Sequence, residues 1–185
     1  MRYDKVQDSK TTSITYSGKP RFEIFQAISK QYKLSLTNYD FKKISELMFE
    51  KIQQTLPAMT IFKDAERFLE SLISPKKGFI FISSSVPQQE LEFIVKNKLP
   101  PTIFPYLSGI FGSAPNFTKG IKHIEKIKAV TLEPNNNIIM FGDDLADCEL
   151  SLLAGVDCVL LNREGNFSTN NFPNNISSFD NLRLP

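Results

Sequence analysis

Ile138-Ile139-Met140-Phe141-Gly142-Asp143-Asp144-Leu145-Ala146-Asp147 is the stretch around which the rest of the chain is read. Four consecutive apolar residues, stopped by a glycine and two aspartates and followed by a helical pattern, predict a buried strand that ends in an acidic loop. Open α/β sheets bind ligands at the carboxyl ends of their strands, which is where this loop falls. Asp147 lies one helical turn beyond the first two acids, so two carboxylates can face one point. Oxygen ligands of that kind suit a hard divalent cation such as Mg2+.

Outward from this loop the chain alternates between two periods. Downstream, a helix through Leu150, Leu153 and Ala154 stops at Gly155, and Cys158-Val159-Leu160-Leu161 predicts another strand. Upstream, Phe79-Ile80-Phe81-Ile82 predicts a short buried strand that runs into a loop at Ser83-Ser84-Ser85. Pro87 then opens a helix with Leu91, Ile94 and Val95 inward, and Leu99-Pro100-Pro101 breaks it. Between these parts, Ile103 to Phe111 holds a turn and a short strand, and the loop through Lys119-Gly120 leads to a helix carrying Ile121, Ile124 and Ile127. Strands alternating with helices predict an α/β fold with a parallel, doubly wound sheet.

The segment before Phe62 has a different character. Residues 1 to about 18 are polar and have no sustained period. Two amphipathic helices follow, one with Phe22, Phe25, Ile28 and Tyr32, the next from about Asn38 with Phe41, Ile44, Met48 and Ile52. The predicted division is therefore 1–57, a polar N-terminal segment with a helical subdomain, and 58–185, an α/β core opening with a helix over about 64–74. The tail from Asn162 is rich in Asn, Ser and Pro, with a weak element around Ile176 to Leu182.

The 185 residues suffice for one domain, or one domain with a small insertion. A net charge of +2, with both signs mixed along the chain, gives no global field for nucleic acid or a membrane surface. No apolar run approaches the roughly 18–20 residues that span a bilayer, and no signal-peptide pattern follows Met1. Cys148 and Cys158 lack zinc-ligand spacing, so the expectation is a reduced, cytoplasmic protein.

Three loops after three strands present three kinds of group: hydroxyls at Ser83 to Ser85, an ammonium at Lys119, and carboxylates at Asp143, Asp144 and Asp147. A serine beside the free N–H groups of a helix N-terminus can hold phosphate oxygens, because the helix dipole favours an anion. A lysine adds positive charge where negative charge builds up in phosphoryl transfer, and a metal on the acids does so from the other side. Taken singly, Ser84 is as readily a helix cap and Lys119 a solvated surface lysine; their order and spacing carry the reading.

In that order the motifs resemble the haloacid dehalogenase-like hydrolase superfamily, in its phosphatase and phosphoglucomutase-like branch. The second motif of the family, a Ser or Thr ending a hydrophobic strand, is similar to Ile82-Ser83-Ser84-Ser85-Val86-Pro87. Ser84 is favoured as its hydroxyl because Pro87 then stands three residues on, with Ser83 still open. The third motif, a lysine before a helix, resembles Phe117-Thr118-Lys119-Gly120, and the fourth resembles Gly142-Asp143-Asp144-Leu145-Ala146-Asp147. The resemblance covers about Phe62 to Leu161. It implies a Rossmann-type parallel sheet with helices on both faces and, before Phe62, part of an α-helical cap in which Arg21 is a candidate substrate contact.

It also implies a Mg2+-dependent phosphomonoesterase acting on a small phosphorylated metabolite. Ser84, Ser85 and Lys119 would bind phosphate, Lys119 and Asp143 would serve catalysis, and Asp143 and Asp147 would hold the metal. The first motif of the family, a hydrophobic strand ending in Asp-x-Asp whose first Asp is the nucleophile, has no counterpart: Asp4 and Asp8 follow no apolar strand. That strand is central in the family fold, between the strands of the serine and acidic motifs. The expectation is a hydrolase lacking its N-terminal segment, with weak Mg2+ binding and little or no activity; the alternative is a non-catalytic phosphate- or metal-binding module. Without the central strand, the two flanking strands must close up or something else must fill the gap.

Overall fold

The computed structural model describes residues 19–73, 78–165 and 174–182. The polar segment before Lys19, and with it Asp4 and Asp8, lies outside the described residues. Among the described residues two helices come first, α1 (Arg21–Gln31) and α2 (Asn38–Thr55). Thr37 starts α2 with a reciprocal cap: its hydroxyl accepts from the Asp40 N–H, and the Asp40 carboxylate accepts from the Thr37 N–H. Edge-on contacts of Phe22 and Phe25 with Phe41 join the two helices, yet neither buries a residue completely.

The remaining elements alternate as expected: α3 (Lys63–Ile73), β1 (Ile80–Pro87), α4 (Gln88–Lys98), β2 (Leu107–Ser113), α5 (Ile121–Thr131), β3 (Ile139–Gly142), α6 (Leu145–Leu153), β4 (Asp157–Leu161) and β5 (Asn175–Ile176). All strand pairs are parallel. β1 runs further than the sequence suggests. Instead of ending at Ile82, it continues through the three serines to Pro87, with an irregularity between Ser83 and Pro87 where the ladder to β2 skips. The extension keeps Pro87 opposite Ser113 and delivers the chain directly into α4.

Two faces are covered. On one, Leu91, Val95 and Leu99 of α4 and Ile103 form the buried cluster, with Leu69 and Ile73 of α3 and Ile82 and Val86 of β1 packed against it. Phe68 of α3 also lies 5.2 Å from Phe141 of β3 and stacks on Phe179. Helices α5 and α6 cover the opposite face, where the Ser151 hydroxyl of α6 lies 3.0 Å from the Met140 sulfur of β3. This is the layered α/β architecture expected of helices fed by parallel strands.

The strands form two sheets, β1-β2 and β3-β4-β5. β1 and β3 do not pair, and no strand lies between them among the described residues. A cleft of about 560 Å³ separates them, bordered by Phe79, Phe81 and Ser83 on one side and Ile138 to Phe141 on the other. The flanking strands therefore do not close up.

Buried charges pin the periphery. Asp64 at the start of α3 accepts from both Arg163 and Ser178 and from the Phe179 N–H, joining α3 to the chain after β4 and to the tail. These donors hold its carboxyl well below the usual carboxylate range, the Arg163 hydrogen bond contributing most. The cysteines depart from the reduced state expected: Cys148 of α6 and Cys158 of β4 are disulfide-bonded, their Cα atoms 5.4 Å apart because α6 packs directly on β4. No described helix is long and apolar enough to cross a membrane.

Candidate active site

At the carboxyl end of β3 the backbone passes very close to α6. A Cβ at Gly142 would collide with the Cβ of Asp147 and lie 2.8 Å from one of its carboxylate oxygens, so only glycine lets the strand end there. Asp144 is the N-cap of α6, its carboxylate accepting from the Ala146 N–H at 3.0 Å. Asp147, in the first turn, is buried, with a side chain 3% exposed. Asp143 is exposed. The three acids of the motif thus have three environments, and Asp144 is the one committed to the helix.

Lys119 reaches this loop from the start of α5. Gly120 precedes the helix at φ 104°, a conformation that L side chains rarely adopt, and this turn carries Lys119 inward. Its ammonium stands 2.7 Å from Oδ1 and 2.8 Å from Oδ2 of Asp147, with the lysine side chain only 15% exposed. Burial is the largest influence on the Asp147 carboxyl and raises its pKa; Lys119 opposes that, and Asp143 and Asp144 reinforce it. Lys119 is therefore not a solvated surface lysine.

The serines separate. The Ser83 hydroxyl shares a 2.8 Å hydrogen bond with Nδ1 of His123, whereas Ser84 accepts from the Val86 N–H at 3.2 Å within the turn to α4. Ser85 is half-buried beside them. Sequence reasoning passed over His123, the one histidine of the chain. It is 1% exposed and packed by Phe111 and Phe117. Burial lowers its pKa to about 4, with Lys119 adding to the shift and the Gly112 backbone opposing it, so the ring is neutral. A single histidine beside the apolar stripe of Ile121, Ile124 and Ile127 gives no signal in sequence; its partner, Ser83, is 40 residues away.

Arg21 lies apart from these groups in its bonding. Its guanidinium makes a two-point pair with Glu90 in the first turn of α4, at 2.5 and 2.6 Å, with both side chains largely buried. That pair ties α1 to the α/β core, and contact with a substrate would require Arg21 to leave it.

For a divalent cation the acids of this loop offer, among the described residues, one free carboxylate and one engaged one. Asp143 and Asp147 are two carboxylates, and both oxygens of Asp147 are already held by Lys119. No group of three His, Cys, Asp or Glu side chains suited to a metal converges among the described residues. Mg2+ is commonly held by one or two carboxylates with waters completing its octahedron, and here Lys119 stands on both oxygens of one of the two.

No protein-family profile matches the chain, and no curated protein matches it in sequence. Solved structures do. A hydrolase from Pseudomonas syringae superposes with a TM-score of 0.66 at 15% identity, covering 82% of this chain and 68% of that one. A haloacid dehalogenase-like family hydrolase from Streptococcus pneumoniae gives 0.58 at 17% identity, covering 80% and 66%. The chain shares its fold with these two structures and spans about two thirds of their length.

Proposed function

We propose that this chain carries the phosphate-binding half of a haloacid dehalogenase-like phosphatase site, for a small phosphorylated metabolite, without a carboxylate nucleophile of its own. The observation that supports the reading best is the buried Lys119–Asp147 pair at the carboxyl ends of the strands, 2.7 Å long. A buried ion pair is a poor source of stability, because desolvating both ions offsets most of their attraction. A lysine held there is better explained as a fixed positive charge for an anion, with Ser84 and Ser85 proposed as the hydroxyl donors. Helices α1 and α2, within residues 1–57, are assigned as part of a cap, and 58–185 as the core.

Asp143 and Asp147 are the proposed metal ligands, and the binding is weak because Lys119 competes for Asp147 and the donor set is short. Covalent phosphoryl transfer in the reading by resemblance needs a carboxylate nucleophile, and no apolar strand in this sequence ends in Asp-x-Asp. The competing reading, a non-catalytic binding module, is favoured by the same lysine, which already neutralises Asp147.

Calorimetric titration with inorganic phosphate and with Mg2+ tests the proposal. It predicts phosphate binding lost in Lys119→Ala and a Mg2+ dissociation constant of about 1 mM or weaker. Phosphate affinity unchanged by Lys119→Ala, or tight Mg2+ binding, would overturn it.

A further inference from the structure

Helix α2 carries more apolar residues than its contact with the core uses. Phe49 meets Phe93 of α4 with ring centroids 5.5 Å apart, and Leu56, just beyond the helix, is buried, so these positions mark the side that rests on the core. To one side of it runs a second stripe. Ile44, Leu47 and Met48 recur at helical spacing and are 39%, 56% and 43% exposed. Phe41, one turn before Ile44, continues the stripe towards α1, where Phe22 packs edge-on against it and stays half-exposed. Single apolar residues are ordinary on a protein surface, whereas a contiguous stripe rimmed by charge marks an interaction surface.

The charges along the stripe select the partner. With Ile44 and Leu47 as the seam, Asp40 and Lys51 continue it at either end at the same spacing of three or four, and Lys43 and Glu50 lie along one rim. Lys43, Glu50 and Lys51 enter no ion pair among the described residues. In a parallel pair of α2 helices, Asp40 would face Asp40 of the second copy and Lys51 would face Lys51, like charge on like. In an antiparallel pair whose two-fold axis passes between residues 45 and 46, Ile44 faces Leu47, Asp40 faces Lys51 and Lys43 faces Glu50. The two-fold axis makes each of these contacts twice and closes the assembly at two chains. A net charge of only +2 sets little overall repulsion against such self-association.

We infer that the Ile44–Leu47 face of α2 docks on the same face of a second copy of this chain, as an antiparallel, two-fold helix pair. Apolar side chains form the centre of the contact, and the oppositely charged pairs at its ends and rim fix direction and register. One face of a helix about 27 Å long lies at the small end of specific interfaces. The dimer is therefore a weak one, with a dissociation constant of about 10–100 μM. The inference does not rest on the phosphate reading, since no residue of the seam belongs to that site.

Sedimentation equilibrium of the 185-residue protein, over concentrations from about 5 to 500 μM, tests the inference. A reversible monomer–dimer equilibrium is expected. Leu47→Glu should weaken it at least about tenfold, while leaving the melt of the dilute monomer unchanged because the position is exposed there. Lys43→Glu and Glu50→Lys should each weaken self-association. An equimolar mixture of those two variants brings opposite charges face to face again and should associate more tightly than either variant alone. Four results would each overturn the inference: a monomer at every concentration, a dimer indifferent to Leu47→Glu, a mixture no tighter than its components, or a Leu47→Glu variant that melts lower as a dilute monomer, which would assign the stripe to a segment of the same chain.

Discussion

Lys119 and Asp147, 28 residues apart in the chain, meet through both carboxylate oxygens at 2.7 and 2.8 Å, with the aspartate almost completely buried. The contact joins the turn before α5 to the first turn of α6, so two loops that are separate in the sequence meet.

Removing one partner should therefore cost far more than removing both. Lys119→Met leaves a buried carboxylate uncompensated and is expected to lower unfolding free energy by about 3 kcal/mol. The double variant Lys119→Met, Asp147→Leu should recover most of that loss. Urea unfolding of the three proteins gives the comparison, and a neutral Lys119→Met would contradict a desolvated pair.

Gly142→Ala should be costly for a steric reason. The added methyl has no room beside the Asp147 Cβ, and both atoms belong to parts of the backbone that cannot easily move. A loss of about 2 kcal/mol is expected, within the range for overpacked sites, with reduced phosphate affinity as Asp147 shifts away from Lys119. Thermal melts and the phosphate titration measure the two effects.

Acid should weaken the fold through His123. Its pKa is lowered to about 4 by burial, against an ordinary value of 6.5. Between those values the unfolded chain binds a proton on this ring that the folded chain does not, so stability rises with pH across that window. The contribution is complete above 6.5 and lost as pH falls towards 4, by as much as about 3 kcal/mol. Unfolding free energies for the native protein and for His123→Gln across this range check the prediction: the variant should lack this part of the slope.

Much of the fold was legible because its signals are local. The apolar run Ile138 to Phe141, stopped by Gly142, gave β3, and the periods of Leu91, Val95 and of Ile124, Ile127 gave α4 and α5. The end of β1 was not legible. Three serines suggest a loop, yet pairing with Phe111 and Ser113 of β2 carries the strand through them, a tertiary effect that overrides local propensity. Within the candidate site, the order of Ser84, Lys119 and Asp143 was visible as a pattern. The engagement of Arg21 by Glu90 and of Ser83 by His123 was hidden, since each joins residues 69 and 40 positions apart. The bond between Cys148 and Cys158 was hidden for a related reason: it depends on α6 lying against β4.

Turnover tests the central claim most directly, that the binding groups of a phosphatase site are here without a nucleophile. Hydrolysis of a generic aryl phosphate is to be measured with Mg2+ for the purified 185-residue protein and for its Asp143→Asn variant. The account predicts no Mg2+-dependent turnover in either, while the phosphate titration still responds to Lys119→Ala. Robust turnover by the unmodified protein, abolished by Asp143→Asn, would contradict it and require a nucleophile from elsewhere in the chain.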